Sequence, residues 1–255
     1  MSLQVLPISG IPEIKTGDVL SEIILKALEE NNLSLQDEDI LVLAQKIVSK
    51  AEGRFVNLTT VTPSAKAYEY AEITQKDPRF IELVLRESRS VLRCRLGTII
   101  VEHRNGFVCA NAGIDHSNVR GPWGNSEDWV LLLPEDADSS ARVIRDQVFQ
   151  KTQKRIGVMI IDSHGRAWRM GTVGVAIGLA GVPGLVDLRG KPDLYGYRLR
   201  ITMIGAADEL AAAASLVMGQ ADEGTPVVLV RGFPYPLRES SIQELIRPKE
   251  LDLFR

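Results

Sequence analysis

Two aspartates make the strongest chemical suggestion in this chain. Asp115 in NAGIDHSNV and Asp162 in MIIDSHG each close an apolar stretch and enter a polar turn, where a carboxylate at the end of a strand meets a ligand. Oxygen donors of this kind suit hard cations such as Mg²⁺ or Mn²⁺, which keep several waters and combine a few protein ligands with substrate phosphates. The Ser163 hydroxyl, next to Asp162, would add to the donor set. Asp at a strand end also serves as a turn former or a helix cap, so the two residues alone leave both roles open. His116 and His164 each follow one of these acids directly and look like a paired constellation. Zinc would want more nitrogen or sulfur ligands at turn or helical spacing, so the histidines read as substrate contacts or solvated loop residues.

Three further stretches bear on ligand binding. AQKIVSKAEGR places Gln45, Lys46 and Lys50 after a predicted strand, at a spacing suited to phosphates and equally to a solvated surface. MGQADEGTP, from Met218 to Pro226, follows an Ala-rich segment. Its Gln220 offers an oxygen to a metal or a base, while Gly224 and Thr225 permit close backbone approach and a hydroxyl contact. The same loop also reads as a helix C-cap and tight turn. GTVGVAIGLAGVPGL, from Gly171 to Leu185, is small and apolar, and close packing or approach to a ligand explains it equally well. The chain has no G-x-x-x-x-G-K-[ST] phosphate loop, no G-x-G-x-x-G fingerprint and no G-x-S-x-G elbow, so a nucleotide site here is nonstandard and covalent hydrolysis drops out.

These residues need elements to hold them. Short apolar runs alternate with amphipathic ones, which predicts a mixture of α and β structure. LQVLPI reads as a strand, GDVLSEIILKALEENNL as a helix, and DILVLAQKIVSKAEG as a buried strand that runs into a polar loop. From Pro63 to about Arg95 the pattern is helical. GTIIVEHRNGFVCANAGID predicts two strands turning at Asn105 and Gly106. WVLLLP, a helix over Ser139 to Lys151 and IGVMIID form a strand, helix, strand unit suited to parallel pairing. YRLRITMIG, the Ala-rich helix and VVLVRG repeat the rhythm, and the polar loop SNVRGPWGNSED is the expected internal boundary.

The composition narrows the class. A chain of 255 residues, 45% hydrophobic and 25% charged, buries a substantial core as one domain or two lobes. Lys plus Arg number 30 against 33 Asp plus Glu, which argues against a nonspecific nucleic-acid binder. Cys94 and Cys109 are too few for a disulfide framework, which points to the cytoplasm. No stretch is long and apolar enough to span a bilayer, and the N-terminus lacks the basic start and apolar run of a signal peptide.

IVSKAEGR, NAGIDHSNV, the run from Ile160 to Leu199, and AADELAAAASLVMGQADEGTPVVLVRG together resemble the γ-glutamyl ligase family that builds the tail of the deazaflavin coenzyme F420. The resemblance covers nearly the whole chain, in order. It implies a GTP-dependent ligase that joins L-glutamate to the terminal carboxylate of coenzyme F420-0 through an acyl phosphate and releases GDP and phosphate. Further γ-linked glutamates are a second outcome. It also implies a two-lobed α+β fold that forms an intimate homodimer, with one ligase domain over residues 1–255, a lobe boundary near 117–128, and no C-terminal flavin-binding domain such as mycobacterial relatives carry.

Carried over residue by residue, the resemblance assigns Asp115, Asp162, Ser163 and Gln220 to two Mg²⁺ or Mn²⁺ ions, with potassium as a further cation. It assigns GTP to Ser9, Gly10, Ile11 and Pro12, to Gln45, Lys46 and Lys50, and to Asn118. The loop Met218, Gly219, Gln220, Ala221, Asp222, Glu223, Gly224 and Thr225 completes that set. Catalysis falls to Asp115, Asp162 and Lys50. His116 stands where relatives often have an acid, and Gln220 where they have an acid or an amide, which leaves less negative charge for a second cation. The glycine run has too little side-chain volume to build a core around itself, so it is expected to lie against another packed surface, which the resemblance implies is a second subunit. Two other readings remain: a ligase or phosphoryl-transfer enzyme of the same fold acting on another carboxylate, and a noncatalytic nucleotide-binding dimeric module.

Overall fold

In the computed structural model, which describes residues 2–253, β1 (Gln4–Ile8) leads to α1 (Leu20–Glu30), β2 (Ile40–Ala44) and α2 (Gln45–Ala51). A middle stretch contains β3 (Phe55–Asn57), α3 (Ala65–Thr74), α4 (Pro78–Arg86), β4 (Ser88–Arg95), β5 (Thr98–His103), β6 (Val108–Ala110) and β7 (Trp129–Leu131). The last part contains α5 (Ala137–Thr152), β8 (Gly157–Arg166), β9 (Arg169–Ala180), the short β10 (Val186–Asp187) and β11 (Met203–Ile204), α6 (Ala206–Met218) and β12 (Val227–Arg231). This is the expected mixture of helices and strands. Residues 1, 254 and 255, the ends of the expected single domain, lie outside the described residues.

The central sheet has the order β1-β12-β2-β8-β9, and its one parallel pair is β2 with β8. Ile40 to Leu43 and Gly157 to Ile161 are buried because both faces of the sheet are covered, which is why these strands read as unbroken apolar runs. One face packs on α1 and α5 through Ile24, Leu28, Ala141 and Val148. The other packs on α6 through Leu210, Ala211 and Ala214. The three-stranded sheet β4-β5-β6, with α3 and α4, closes a third core around Ile81, Val84, Ile99 and Val101.

Several elements differ from the sequence expectation for local physical reasons. QKIVSKA is a helix, not a polar loop: Gln45, Ile47, Val48 and Ser49 are buried, and the lysines only made the segment look solvated. The helical stretch from Pro63 is two helices and a strand. The first helix ends at Gln75 in the left-handed region, and Asp77 caps the second by accepting the Arg79 backbone N–H at 2.8 Å, with Pro78 in the first turn. SRSVLRCR then pairs with β5. The strand in WVLLLP pairs antiparallel with β3, and the parallel partner of β8 is β2, whose apolar residues fit the centre of a covered sheet. YRLRITMIG contributes only the two residues of β11, paired with β10. The turn at Asn105 and Gly106 forms as expected, with φ of +102° at Gly106.

The glycine run becomes β9, buried from Ala176 to Ala180. A Cβ on Gly174 would lie 2.4 Å from the Ala211 carbonyl oxygen of α6, and one on Gly178 would lie 2.5 Å from the Ala137 carbonyl of α5. The covering surface is therefore the chain's own pair of helices. This corrects the expectation that a second subunit supplies it.

Replacing Gly178 with Ala forces backbone apart from backbone, so the variant is expected to lose about 1–3 kcal/mol of stability, the range for overpacking a filled interior. Urea unfolding of the two proteins measures this. An unchanged midpoint would show that β9 and α5 yield freely.

Candidate active site

β2 stops at Ala44, opposite Ile161 in the parallel register, so Asp162 is the first residue of β8 with no β2 residue beside it. Asp162 is not in a turn, as the sequence suggested, because β8 continues to Arg166 in pairing with β9. Ligands gather beyond the carboxyl ends of parallel strands. A cavity of about 680 Å³ opens at this edge. Asp162 and Ser163 point to opposite sides of β8, yet both border the cavity because the strand's flank is open there.

Most of the sequence-predicted site converges on this cavity. Ile11, Pro12, Gln45, Lys46, Lys50 and Asn118 line it, as does the whole loop from Met218 to Thr225. Ser9 and Gly10 do not line it. The Ser9 hydroxyl donates to Asn31 Oδ1 at 2.7 Å, and Asn31 Nδ2 donates back to the Ser9 carbonyl at 2.9 Å, so Ser9 fixes the start of the loop. Asp115 stands behind Gln45 and Lys46, not on the cavity wall. Its backbone exchanges hydrogen bonds of 2.8 and 2.9 Å with Leu131.

The Asp115 carboxylate is held on both oxygens. Gln45 Nε2 donates to Oδ2, and Lys46 Nζ lies 3.4 Å from Oδ1. Ser49 donates to Gln45 Oε1 at 2.9 Å, which turns the amide so that its NH₂ faces Asp115. Burial, and after it the charge of Asp162, push the Asp115 carboxyl up to about 6 against the pull of Lys46 and Gln45. Asp162 Oδ2 accepts from His164 Nε2 at 2.9 Å. Ser163 donates to Gln220 Oε1 at 2.8 Å, and Gln220 Nε2 donates to Ser215 at 2.9 Å. Two further bonds pin the loop after α6: Asn118 Nδ2 donates to the Ala221 carbonyl at 3.0 Å, and Thr225 Oγ1 to the Met218 carbonyl at 2.9 Å.

A carboxylate raised by burial and by the charge of a second one, with a hydroxyl and an amide oxygen alongside, makes a donor set suited to a hard divalent cation. Among the described residues no three His, Cys, Asp or Glu side chains group as a metal site, so a cation here would keep waters or substrate oxygens. Lys50 offers an ammonium to the same cavity. Burial lowers its pKa, and Glu13 opposes that shift.

Glu13, Arg120 and Ser215 also line the cavity and escaped the sequence reading. Glu13 follows Pro12 directly, and Ser215 lies in the last turn of α6 before Gln220, so proximity to known candidates was the available signal. The two histidines are not a pair. His116 Nε2 lies 3.0 Å from the Glu127 carbonyl oxygen, on an exposed loop. His164 is a strand residue that orients Asp162, and its ring lies 5.5 Å from that of Phe107, which stacks on His103 at 4.9 Å.

Comparison with known proteins gives concordant matches. Residues 10–232 match the family described as F420-0:Gamma-glutamyl ligase. Coenzyme F420:L-glutamate ligase of Methanothermobacter thermautotrophicus is 45% identical, with 100% of each chain covered. Its counterparts in Methanopyrus kandleri and Archaeoglobus fulgidus are 44% and 41% identical, covering 100% of this chain and 98% and 97% of their own.

His103, behind the site, gives a pH prediction. Its Nδ1 accepts the Asn105 backbone N–H at 3.1 Å, and its Nε2 has no hydrogen-bond partner among the described residues. Burial, helped by the charge of Arg104, lowers its pKa to about 4. The unfolded chain therefore binds a proton that the folded one refuses, and stability falls as pH drops from about 6.5 to 4. Between pH 7 and 4 the wild type is expected to lose about 3 kcal/mol more than His103→Phe, measured by urea unfolding. Equal losses would show that His103 does not set the slope.

Proposed function

The chain belongs to the F420-0:gamma-glutamyl ligase family, and on that premise we propose that it joins L-glutamate to the terminal carboxylate of coenzyme F420-0 in a GTP-dependent reaction. The observation that carries this reading is one cavity, at the open end of a parallel strand pair, that brings Asp162 together with Lys46, Lys50 and the loop after α6, with Asp115 directly behind Lys46. Those are the groups an activated-carboxylate mechanism requires.

In the first step a carboxylate oxygen of the acceptor attacks the γ-phosphorus of GTP, the bond to the β-phosphate oxygen breaks, and GDP leaves. In the second step the glutamate nitrogen attacks the acyl phosphate carbon, the carbon–oxygen bond to phosphorus breaks, and phosphate departs. The ammonium of glutamate gives up two protons along the way, one carried off by the phosphate and one released to solvent at neutral pH. Such transfers depend on positioning and on neutralising charge. Asp115, Asp162, Ser163 and Gln220 would hold Mg²⁺ or Mn²⁺, two ions on this reading with potassium as a further cation, and these supply charge neutralisation at the phosphates. Lys46 and Lys50 add positive charge at the same edge, with Lys50 reaching out from α2 and Lys46 shared with Asp115. Gln45 fixes the Asp115 carboxylate, and His164 fixes that of Asp162. Ile11, Pro12 and the Met218–Thr225 loop give the wall against which the nucleoside would lie.

We further propose that the enzyme works as a homodimer in the cytoplasm. Among the described residues no helix is long and apolar enough to cross a membrane. Met170 and Leu194 are each 97% exposed, and Tyr195 and Ile201 are nearly as open. Large apolar side chains left this bare favour a covering partner, and a second copy of the chain is the one proposed.

The ligase reading is tested by the product mass after incubation of coenzyme F420-0 with L-glutamate, GTP and Mn²⁺: a gain of one or more glutamyl units is expected, and an unchanged mass would sink it. Asp162→Asn keeps the shape but not the charge, so turnover should fall at least about a hundredfold, the scale of one lost preorganised electrostatic group, with the circular dichroism spectrum preserved. Near wild-type turnover would remove Asp162 from the mechanism. Light scattering at low micromolar concentration should give about twice the 28.1 kDa chain mass, and a stable active monomer would overturn the dimer.

A further inference from the structure

The hydrogen-bonded pair of Asp162 and His164 stands between two cavities. Asp162 borders the one already described, and His164 borders a second of about 250 Å³. This second cavity draws its wall from distant parts of the chain: Phe107 from the turn between β5 and β6, Asp208 from the first turn of α6, and Ile242, Leu245 and Arg247 from the segment after β12. It is smaller than the roughly 300–1,000 Å³ typical of sites for drug-sized ligands, so its occupant is small.

Four side chains, His164, Asp208, Arg247 and Asp252, bring polar groups to its otherwise apolar wall, and Asp208 and Arg247 are the two with hydrogen-bonding capacity to spare. Asp208 Oδ1 accepts the Ala176 backbone N–H at 3.0 Å, while Oδ2 has no hydrogen bond or ion pair among the described residues. The exposed guanidinium of Arg247 likewise has none among them. A carboxylate oxygen with spare acceptor capacity matches an ammonium, and a free guanidinium fork matches a carboxylate. The side chains of Phe107, Ile242 and Leu245 leave room between these for methylene groups. That combination describes an α-amino acid in its zwitterionic form.

We propose that this second cavity receives the amino-acid substrate, L-glutamate, with Asp208 binding its ammonium group and Arg247 one of its carboxylates. The assignment rests on the ligase reading, which needs an amine delivered to a carboxylate activated in the first cavity. His164 and Asp162 are two residues apart on one strand, about 6–7 Å, so the amine waits one side chain away from the phosphate-bearing cavity. The Asp162–His164 pair then forms the partition between the two sites, one residue facing each.

The test is the KM for L-glutamate at saturating GTP and coenzyme F420-0. Asp208→Asn keeps the acceptor for Ala176, and Arg247→Gln changes an exposed side chain, so both proteins are expected to fold. Each should raise the KM for L-glutamate about tenfold or more, the effect of losing one charge-assisted hydrogen bond, and leave the KM for GTP within about twofold. An unchanged KM for L-glutamate in Arg247→Gln would overturn the assignment. If the wild type joins no glutamate at all, the ligase reading is what fails, and calorimetric titration with L-glutamate in the presence of GDP still decides the cavity. Weaker binding in both variants than in the wild type would uphold it, and equal binding in all three, or none in the wild type, would overturn it.

Discussion

The site depends on where one strand ends. β2 pairs in parallel with β8 as far as Ala44 and Ile161, and the chain turns at once into α2. Because of that stop, the side chains of Gln45, Lys46 and Lys50 and those of Asp162 and Ser163 share a single open edge. Had the pairing slipped by one residue, the side chains of β8 would have exchanged faces, and Asp162 would have lost its place beside Asp115. The buried apolar runs that fix this register are thus as much a part of the site as the polar groups.

The acids sit in tension with the fold that holds them. Asp115 is largely buried and faces the charge of Asp162, and both effects oppose its ionised form. The chain offsets this with the Gln45 amide and the Lys46 ammonium, and it fixes the amide through Ser49. Such arrangements, in which a charged group is kept where its environment disfavours it, are typical of places that meet a ligand. The residues that do this holding come from α2, the segment whose lysines looked like ordinary surface.

What could be read from the sequence was what short-range chemistry encodes. The apolar strands, the turn at Asn105 and Gly106 and the helix expected over Ser139 to Lys151 are local signals, and they stand close to where they were expected. Pairing partners were not legible, because the choice of β2 rather than β7 as the neighbour of β8 depends on which apolar run is covered on both faces. Most of the residues lining the cavity lie in stretches that the sequence singled out with two roles open, and the family resemblance added Ile11, Pro12 and Asn118. Glu13 and Arg120 carry no pattern of their own, and the Asp162–His164 bond was invisible because the strand was taken to end at the aspartate.

The glycines of β9 have a mechanical meaning. Gly174 brings the backbone of β9 against that of α6 beside Ala211 and Ser215, and Ser215 is tied through Gln220 to Ser163. A contact between main chains has no flexible side chains to act as a cushion, and dense interiors transmit strain. α6 can therefore adjust to a bound molecule only by sliding as a rigid rod along the sheet, the shear mode of packed elements. Such a slide would carry Ser215 and Asp208 together, so a shift felt at one end of the helix is passed undiminished to the other.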